Sequence, residues 1–308
     1  MSFSSEIKKE IARIRPDKKC CAIAEFTALL SYLGSISVRP GEEQIRILTE
    51  NVAVAQKCLR MLRGLFSLET ELDIRKNAAG GRNHQYEVLI RETDAIRGIL
   101  DMTQISQPEV FQERIQKKSC CVRAFLRGSF LAAGSVSDPG KSYHCEFLCR
   151  GRAEAEYLKK LMEVFEIVPG ITTRKGRYVV YLKDSSRIID LLNVIGAHQS
   201  LMQMENIRIL KEMRNSANRQ FNCDAANISK MVRAAGKQVE DIQRIRESDR
   251  WERLSPALKE TALARLENPD ISIQELGTML DPPLGKSGVN HRLRKLSQIA
   301  QELRLHRD

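Results

Sequence analysis

The chain has 308 residues, long enough for two domains that each bury a core of their own. Its 50 Lys plus Arg against 39 Asp plus Glu give a formal net charge of +11, a balance that suits an anionic partner, nucleic acid first, and equally a merely basic soluble protein. No run approaches the roughly 18 apolar residues that cross a bilayer, and Met1 to Glu10 lacks the apolar stretch of a signal peptide, so a cytoplasmic protein without membrane association is expected.

The first recognisable element is a helix ending in Gly-Ser. Cys20-Cys21-Ala22 runs through Leu29-Leu30 to Leu33-Gly34-Ser35-Ile36-Ser37, and the pattern recurs from Cys120-Cys121-Val122 through Phe130-Leu131 to Ala133-Gly134-Ser135-Val136-Ser137. Each copy reads as a helix running into a strand, and a second strand follows around Ile47-Leu48 and Phe147-Leu148. An amphipathic helix comes next, with Cys58, Met61, Leu62 and Leu65 matched by Leu158, Leu161, Met162 and Phe165 at the spacing of one buried face. A hairpin follows: Leu72 to Lys76 with Gln85 to Ile90 across Gly80-Gly81, and Ile171 to Arg174 with Arg177 to Leu182 across Lys175-Gly176. A last helix closes each half, where Ile96, Ile99 and Leu100 match Ile188, Leu191 and Leu192.

The eight cysteines contain no C-x-x-C pair, and vicinal pairs such as Cys20-Cys21 are poorly placed to give two ligands to one zinc. Buried thiols are therefore expected, with no cofactor and no metal; His144, Cys145 and Cys149 remain an incomplete candidate set.

This duplicated αββαββα order, with small residues in the first helix of each half, resembles the LAGLIDADG homing-endonuclease fold over roughly residues 20 to 198. The resemblance implies two motif helices packed at a pseudo-two-fold axis, with Ala28, Gly34, Gly128, Ala132, Ala133 and Gly134 permitting close approach. Nucleases of that fold carry an acid immediately before each motif glycine, because metal-assisted phosphodiester cleavage needs carboxylate oxygens on a divalent ion. Here those positions are Leu33 and Ala133, so cleavage by that route is not expected; Asp138 reads either as a relocated acid or, more simply, as a turn former. The hairpins keep basic residues, Arg75, Lys76, Arg82 and His84 in the first, Arg174, Lys175, Arg177 and Lys183 in the second. They suit secondary phosphate contacts or a solvated surface.

The Asn-punctuated run from Asn215 to Asn227 reads as a linker before a helix from about Asp224 to Arg246, placing domains at 1–215 and 216–308. Ser255-Pro256 opens a helix with Leu258, Ala262 and Leu266 inward that stops before Asn268-Pro269. Ser272-Ile273-Gln274-Glu275 is a capping box for a short helix ending at Leu280. Asp281-Pro282-Pro283 breaks it, and Ser287 is expected to cap a third helix whose apolar stripe is Val289, Leu293, Leu296, Ala300 and Leu303.

No acid occurs from Pro282 to Gln301, and the opposite face of that helix is expected to carry Gly288, Asn290, His291, Arg292, Arg294 and Lys295. A short helix, a turn and a basic helix make a helix-turn-helix, although the turn is longer than usual. In that reading the DNA-binding residues are Lys286, Ser287, Gly288, Asn290, His291, Arg292, Arg294 and Lys295, with Asn290 and Arg294 at base edges and Lys286, Arg292 and Lys295 suited to phosphates. A three-helix bundle with a solvated basic face is the alternative.

Taken with Phe3-Ser4-Ser5-Glu6-Ile7-Lys8 at the start and Asp281 to Lys295 near the end, the whole chain resembles the WhiA family of bacterial sporulation and cell-division regulators. The resemblance implies an α+β protein, a LAGLIDADG-like domain followed by an all-α helix-turn-helix domain. It implies a nucleoid-associated transcription factor that binds double-stranded promoter DNA and, in some members, acts with a WhiB-like iron–sulfur protein. A metal-dependent endonuclease and a nucleoid or division-associated adaptor are the rival expectations.

Overall fold

A computed structural model describes residues 2–37, 43–70, 72–76 and 84–305. It divides into two compact units, residues 1–211 and 212–308. Gly80, Gly81 and Arg82 lie outside the described residues, as do the side chains of Arg75 and Lys76.

The first unit opens with α1 (Phe3–Ala12), whose Phe3, Ile7 and Ile11 recur every fourth residue and are all buried. Ser2 caps it by accepting from the Ser5 amide. Two copies of one pattern follow. The first is α2 (Lys19–Leu33), β1 (Gly34–Ser37), β2 (Gln44–Thr49), α3 (Val52–Phe66), β3 (Leu72–Lys76), β4 (His84–Ile90) and α4 (Thr93–Thr103). A helix the sequence reading did not anticipate, α5 (Pro108–Gln116), packs Phe111 and Ile115 into the core and leads to the second copy. That copy is α6 (Ser119–Ala133), β5 (Gly134–Val136), β6 (Cys145–Cys149), α7 (Arg152–Glu163), β7 (Gly170–Arg174), β8 (Arg177–Leu182) and α8 (Ser185–Ile195).

The sheets are antiparallel with equivalent orders, β1-β2-β4-β3 and β5-β6-β8-β7, and Gly34 opposite Ile47 corresponds to Gly134 opposite Phe147. The duplicated αββαββα order expected from sequence is therefore the architecture. Each sheet turns alternate residues inward: Ile45, Ile47, Val88 and Ile90 in one, Cys145, Phe147, Val180 and Leu182 in the other. With the buried faces of α3, α4, α7 and α8 they form one continuous core.

The motif helices α2 and α6 pack directly on each other. A Cβ at Gly128 would sit 2.5 Å from the Glu25 carbonyl oxygen and 2.8 Å from the Ala28 Cβ, so the crossing requires glycine there. Gly34 and Gly134 act otherwise: the nearest atoms are Leu30 and Phe130 of their own helices rather than the partner helix.

A buried ionic group ties this crossing to α3 and α1. Glu25 is fully buried and pairs with Lys57 Nζ at 2.6 Å and Arg127 Nη2 at 2.8 Å. Lys57 also donates to the carbonyls of Ile11 and Ile14, and Arg60 donates to that of Ala12, so cations close the C-terminus of α1.

The expected linker is not a linker. The helix α9 (His198–Arg246) runs unbroken for 49 residues through Asn215, Asn218, Asn222 and Asn227. Asparagine costs only tenths of a kcal/mol in a helix interior, roughly 0.7 at most, and such a cost is readily carried by long helical flanks. The Glu10 carboxylate accepts from the Gln199 and Ser200 amides at the start of α9.

The second unit has its own core, in which Ile242 and Ile245 of α9 meet α10 (Pro256–Glu267), α11 (Ile273–Thr278) and α12 (Lys286–Leu305). No helix among the described residues is long and apolar enough to cross a membrane.

Candidate nucleic-acid interface

In the second unit Ser255 precedes Pro256 at the start of α10 as expected, but its side chain makes no cap hydrogen bond. The α11 capping box is complete: Ser272 Oγ accepts from the Glu275 amide at 3.2 Å, and Glu275 Oε2 accepts from the Ser272 amide at 2.9 Å. The helix stops at Thr278, two residues short of the expected Leu280. Leu280 is still buried.

Two residues that sequence reasoning missed fix the connections. Arg265, almost fully buried, donates to the Ile271 carbonyl at 2.8 Å and reaches those of Asn268 and Pro269, satisfying the α10–α11 loop. Gly277 faces the returning turn, where any side chain would collide with the Leu284 carbonyl; the Leu284 amide donates to Gly277 O at 2.9 Å. The long turn is thus folded back against α11 rather than splayed.

The last helix begins at Lys286, one residue before its expected cap, so Ser287 lies in its first turn. Val289, Leu293, Leu296 and Ala300 are buried and Leu303 is half-buried. Lys286, Ser287, His291, Arg294 and Lys295 are exposed, with Gly288 and Asn290 half-buried beside them. Arg292 departs from this face. Its Nη1 donates to the Ala257 carbonyl at 3.1 Å and Thr261 Oγ1 at 3.2 Å and lies 3.4 Å from Glu260 Oε2, so it braces α12 against α10 instead of facing solvent. The spacing carried a signal for this: Arg292 is three residues after Val289 and four before Leu296, at the margin of the buried stripe. At the other end Arg304 pairs with the buried Asp241 of α9 at 2.9 Å.

In the first unit Leu33 and Ala133 end α2 and α6. Over these helix ends lies a cavity of about 660 Å³, lined among others by Ser4, Ser5 and Lys8 of α1, with Glu50 the one lining carboxylate among the described residues. Burial pulls the Lys8 ammonium from 10.5 down to about 8. Asp138 accepts from the Gly140 amide at 2.8 Å, the arrangement of a turn former.

The second hairpin turns at Lys175 (φ 50) and Gly176 (φ 75), and it sets Arg174 opposite Arg177. Both arginines are exposed, but Glu146 of the neighbouring strand lies 3.7 Å from Arg174 and 3.2 Å from His144. That acid was invisible when the hairpin was read alone. In the first hairpin, Arg75 and Lys76 are in register with Gln85 and His84.

His144 pairs with the outward Glu146, whereas Cys145 and Cys149 turn inward, so strand alternation separates that candidate metal set. The vicinal cysteines do the reverse of what was expected: the sulfurs of Cys20, Cys21, Cys120 and Cys121 all lie within 4.8 Å of one another. The pairs occupy the first turns of α2 and α6, and the helix crossing brings them together.

Family models match the chain in three consecutive segments, described as the WhiA N-terminal LAGLIDADG-like domain (residues 19–106), the WhiA LAGLIDADG-like domain (122–214) and the WhiA C-terminal HTH domain (217–300). A probable cell division protein WhiA from Lachnoclostridium phytofermentans is 45% identical over 312 residues, covering 99% of this chain and 100% of that protein. A protein of the same description from Alkaliphilus metalliredigens is 42% identical over 313 residues, covering 99% of each. The crystal structure of full-length WhiA from Thermotoga maritima shares the fold with a TM-score of 0.63 at 23% identity, over 98% of this chain and 99% of that one. With all three domains matched in order and relatives aligned end to end, the chain belongs to the WhiA family.

Proposed function

We propose that this chain is a transcription regulator linked to cell division and sporulation, which binds promoter DNA through α12 and has no nuclease activity. One observation carries the reading: α12 has no acid before Glu302, and its exposed face is basic while its apolar face and Arg292 are fixed against the rest of the unit. Asn290 and Arg294 are assigned to base edges, and Lys286, Ser287, His291 and Lys295 to the backbone around them, with Gly288 allowing close approach. Arg292 positions the helix. Arg174, Lys175 and Arg177, with Arg75 and Lys76, are assigned secondary phosphate contacts, weakened at Arg174 by Glu146.

The absence of an acid at Leu33 and Ala133 supports a non-catalytic role for the LAGLIDADG-like unit. Nucleoid localisation follows from DNA binding. A WhiB-like iron–sulfur protein, implied for some members, is an added partner rather than a requirement of the reading.

The test is to recover occupied DNA genome-wide and titrate the enriched promoter fragments with purified protein. Asn290→Ala and Arg294→Ala should each weaken specific binding by about 1–3 kcal/mol and relax sequence preference, and Lys295→Ala should weaken all sequences alike. Unchanged affinity and selectivity in both Asn290→Ala and Arg294→Ala would overturn the assignment, and magnesium-dependent cutting abolished by changing one carboxylate would restore the nuclease reading.

A further inference from the structure

We propose that Cys20, Cys21, Cys120 and Cys121 form a four-thiolate site for a single tetrahedral, thiophilic divalent cation, zinc first, at the pseudo-two-fold crossing of the two motif helices. The four sulfurs already lie within 4.8 Å of one another, and each repeat supplies one half-buried and one buried thiol. A tetrahedral zinc holds each sulfur at about 2.3 Å and the sulfurs about 3.8 Å apart, so binding needs only a small contraction. A polynuclear iron–sulfur cluster places metals and sulfides between the cysteines and would spread them further.

Helix polarity favours the thiolate form, while burial of Cys21 and Cys121 opposes it, so the charge of the bound ion is needed to ionise all four sulfurs. Four thiolates around a divalent ion carry a net charge of −2. Both cysteine pairs sit in the first turn of a helix, where the unpaired amides and macrodipole stabilise negative charge. Neither first turn contains an acid, and Lys18-Lys19 and Lys117-Lys118 precede the two pairs.

Binding is a ligand exchange without redox change. Four sulfur–metal bonds form, the thiols release their protons to solvent, and the ion sheds its waters. The bound ion would cross-link α2 and α6 at the end opposite Leu33 and Ala133, joining the two repeats independently of Glu25 and Arg127.

The experiment is metal analysis of the full-length chain purified under reductant without added chelator, followed by zinc removal with a chelator, removal of the chelator and replacement by cobalt. About one zinc per chain is expected, with the intense visible absorption and sulfur-to-metal charge transfer of tetrahedral thiolate-bound cobalt. In Cys20→Ser/Cys120→Ser the content should fall to below about one tenth, while Cys223→Ser, at an exposed position, keeps it whole. The wild-type measurements stand even if the double variant folds poorly. The proposal is overturned by a chain that holds no zinc as purified and takes up neither zinc nor cobalt when either is supplied to the reduced protein. Equal metal content in the double variant, or crosswise Cys20–Cys121 and Cys21–Cys120 disulfides in protein kept reduced, would also overturn it.

Discussion

Glu25 shows how much of this fold depends on single charged atoms. It sits with no exposure between Lys57 and Arg127, and neutralising it leaves two cations buried without a counterion. Glu25→Gln should lower unfolding stability in urea by about 3–5 kcal/mol, and a loss under about 1 kcal/mol would mean that water reaches the group. Lys8 makes a pH-dependent contribution of known sign. Because its folded value, about 8, lies below its ordinary 10.5, the unfolded chain holds more protons between those limits, and stability contributed through Lys8 rises as pH increases across that window. Lys8→Met should flatten the stability profile between pH 8 and 10.5 and raise stability at neutral pH; an unchanged slope would place the ammonium in open water. Neither residue was legible in the sequence, since a glutamate or lysine on an amphipathic helix reads as solvent-facing until its partners from other elements are known. The exposed basic residues of α12 were legible because a 3.6-residue period separates them from the apolar stripe, and Arg292 escaped because it lies on the border between the two.

Among the elements, the α2–α6 crossing does the most to organise the first unit. Gly128 stands where a Cβ would lie 2.5 Å from the Glu25 carbonyl, an approach that backbone movement alone can relieve. Gly128→Ala should therefore destabilise by about 1–3 kcal/mol, despite the better helix propensity of alanine. A gain of stability would show that the helices stand further apart. The repeated helices and strands were readable because duplication presents each pattern twice, and the α11 capping box because its signature is local. Two elements were not. Pro108 is a local signal for the start of α5, but the segment has no counterpart in the repeat, and the Asn-rich stretch of α9 reads locally as a linker although its weak propensity is overridden inside a long helix. The cysteine cluster also belongs to this scale: each pair alone has poor ligand spacing, and only the crossing of two duplicated helices makes four sulfurs converge.

At the scale of the whole molecule, a nuclease-like scaffold without its motif carboxylates is joined in one chain to a helix-turn-helix unit with a clean cationic face. The central claim is that α12 is the element that enters the groove of promoter DNA. Site-specific photocrosslinking tests it most directly, with a benzoylphenylalanine placed at His291 on the exposed face of α12 and, as a control, at exposed Glu267 on α10. Efficient crosslinking of promoter DNA from position 291, lost on adding unlabelled specific competitor and absent from position 267, is the predicted result. Crosslinking from neither position, by protein that still shifts the same fragment, would contradict the account and move DNA binding to another surface.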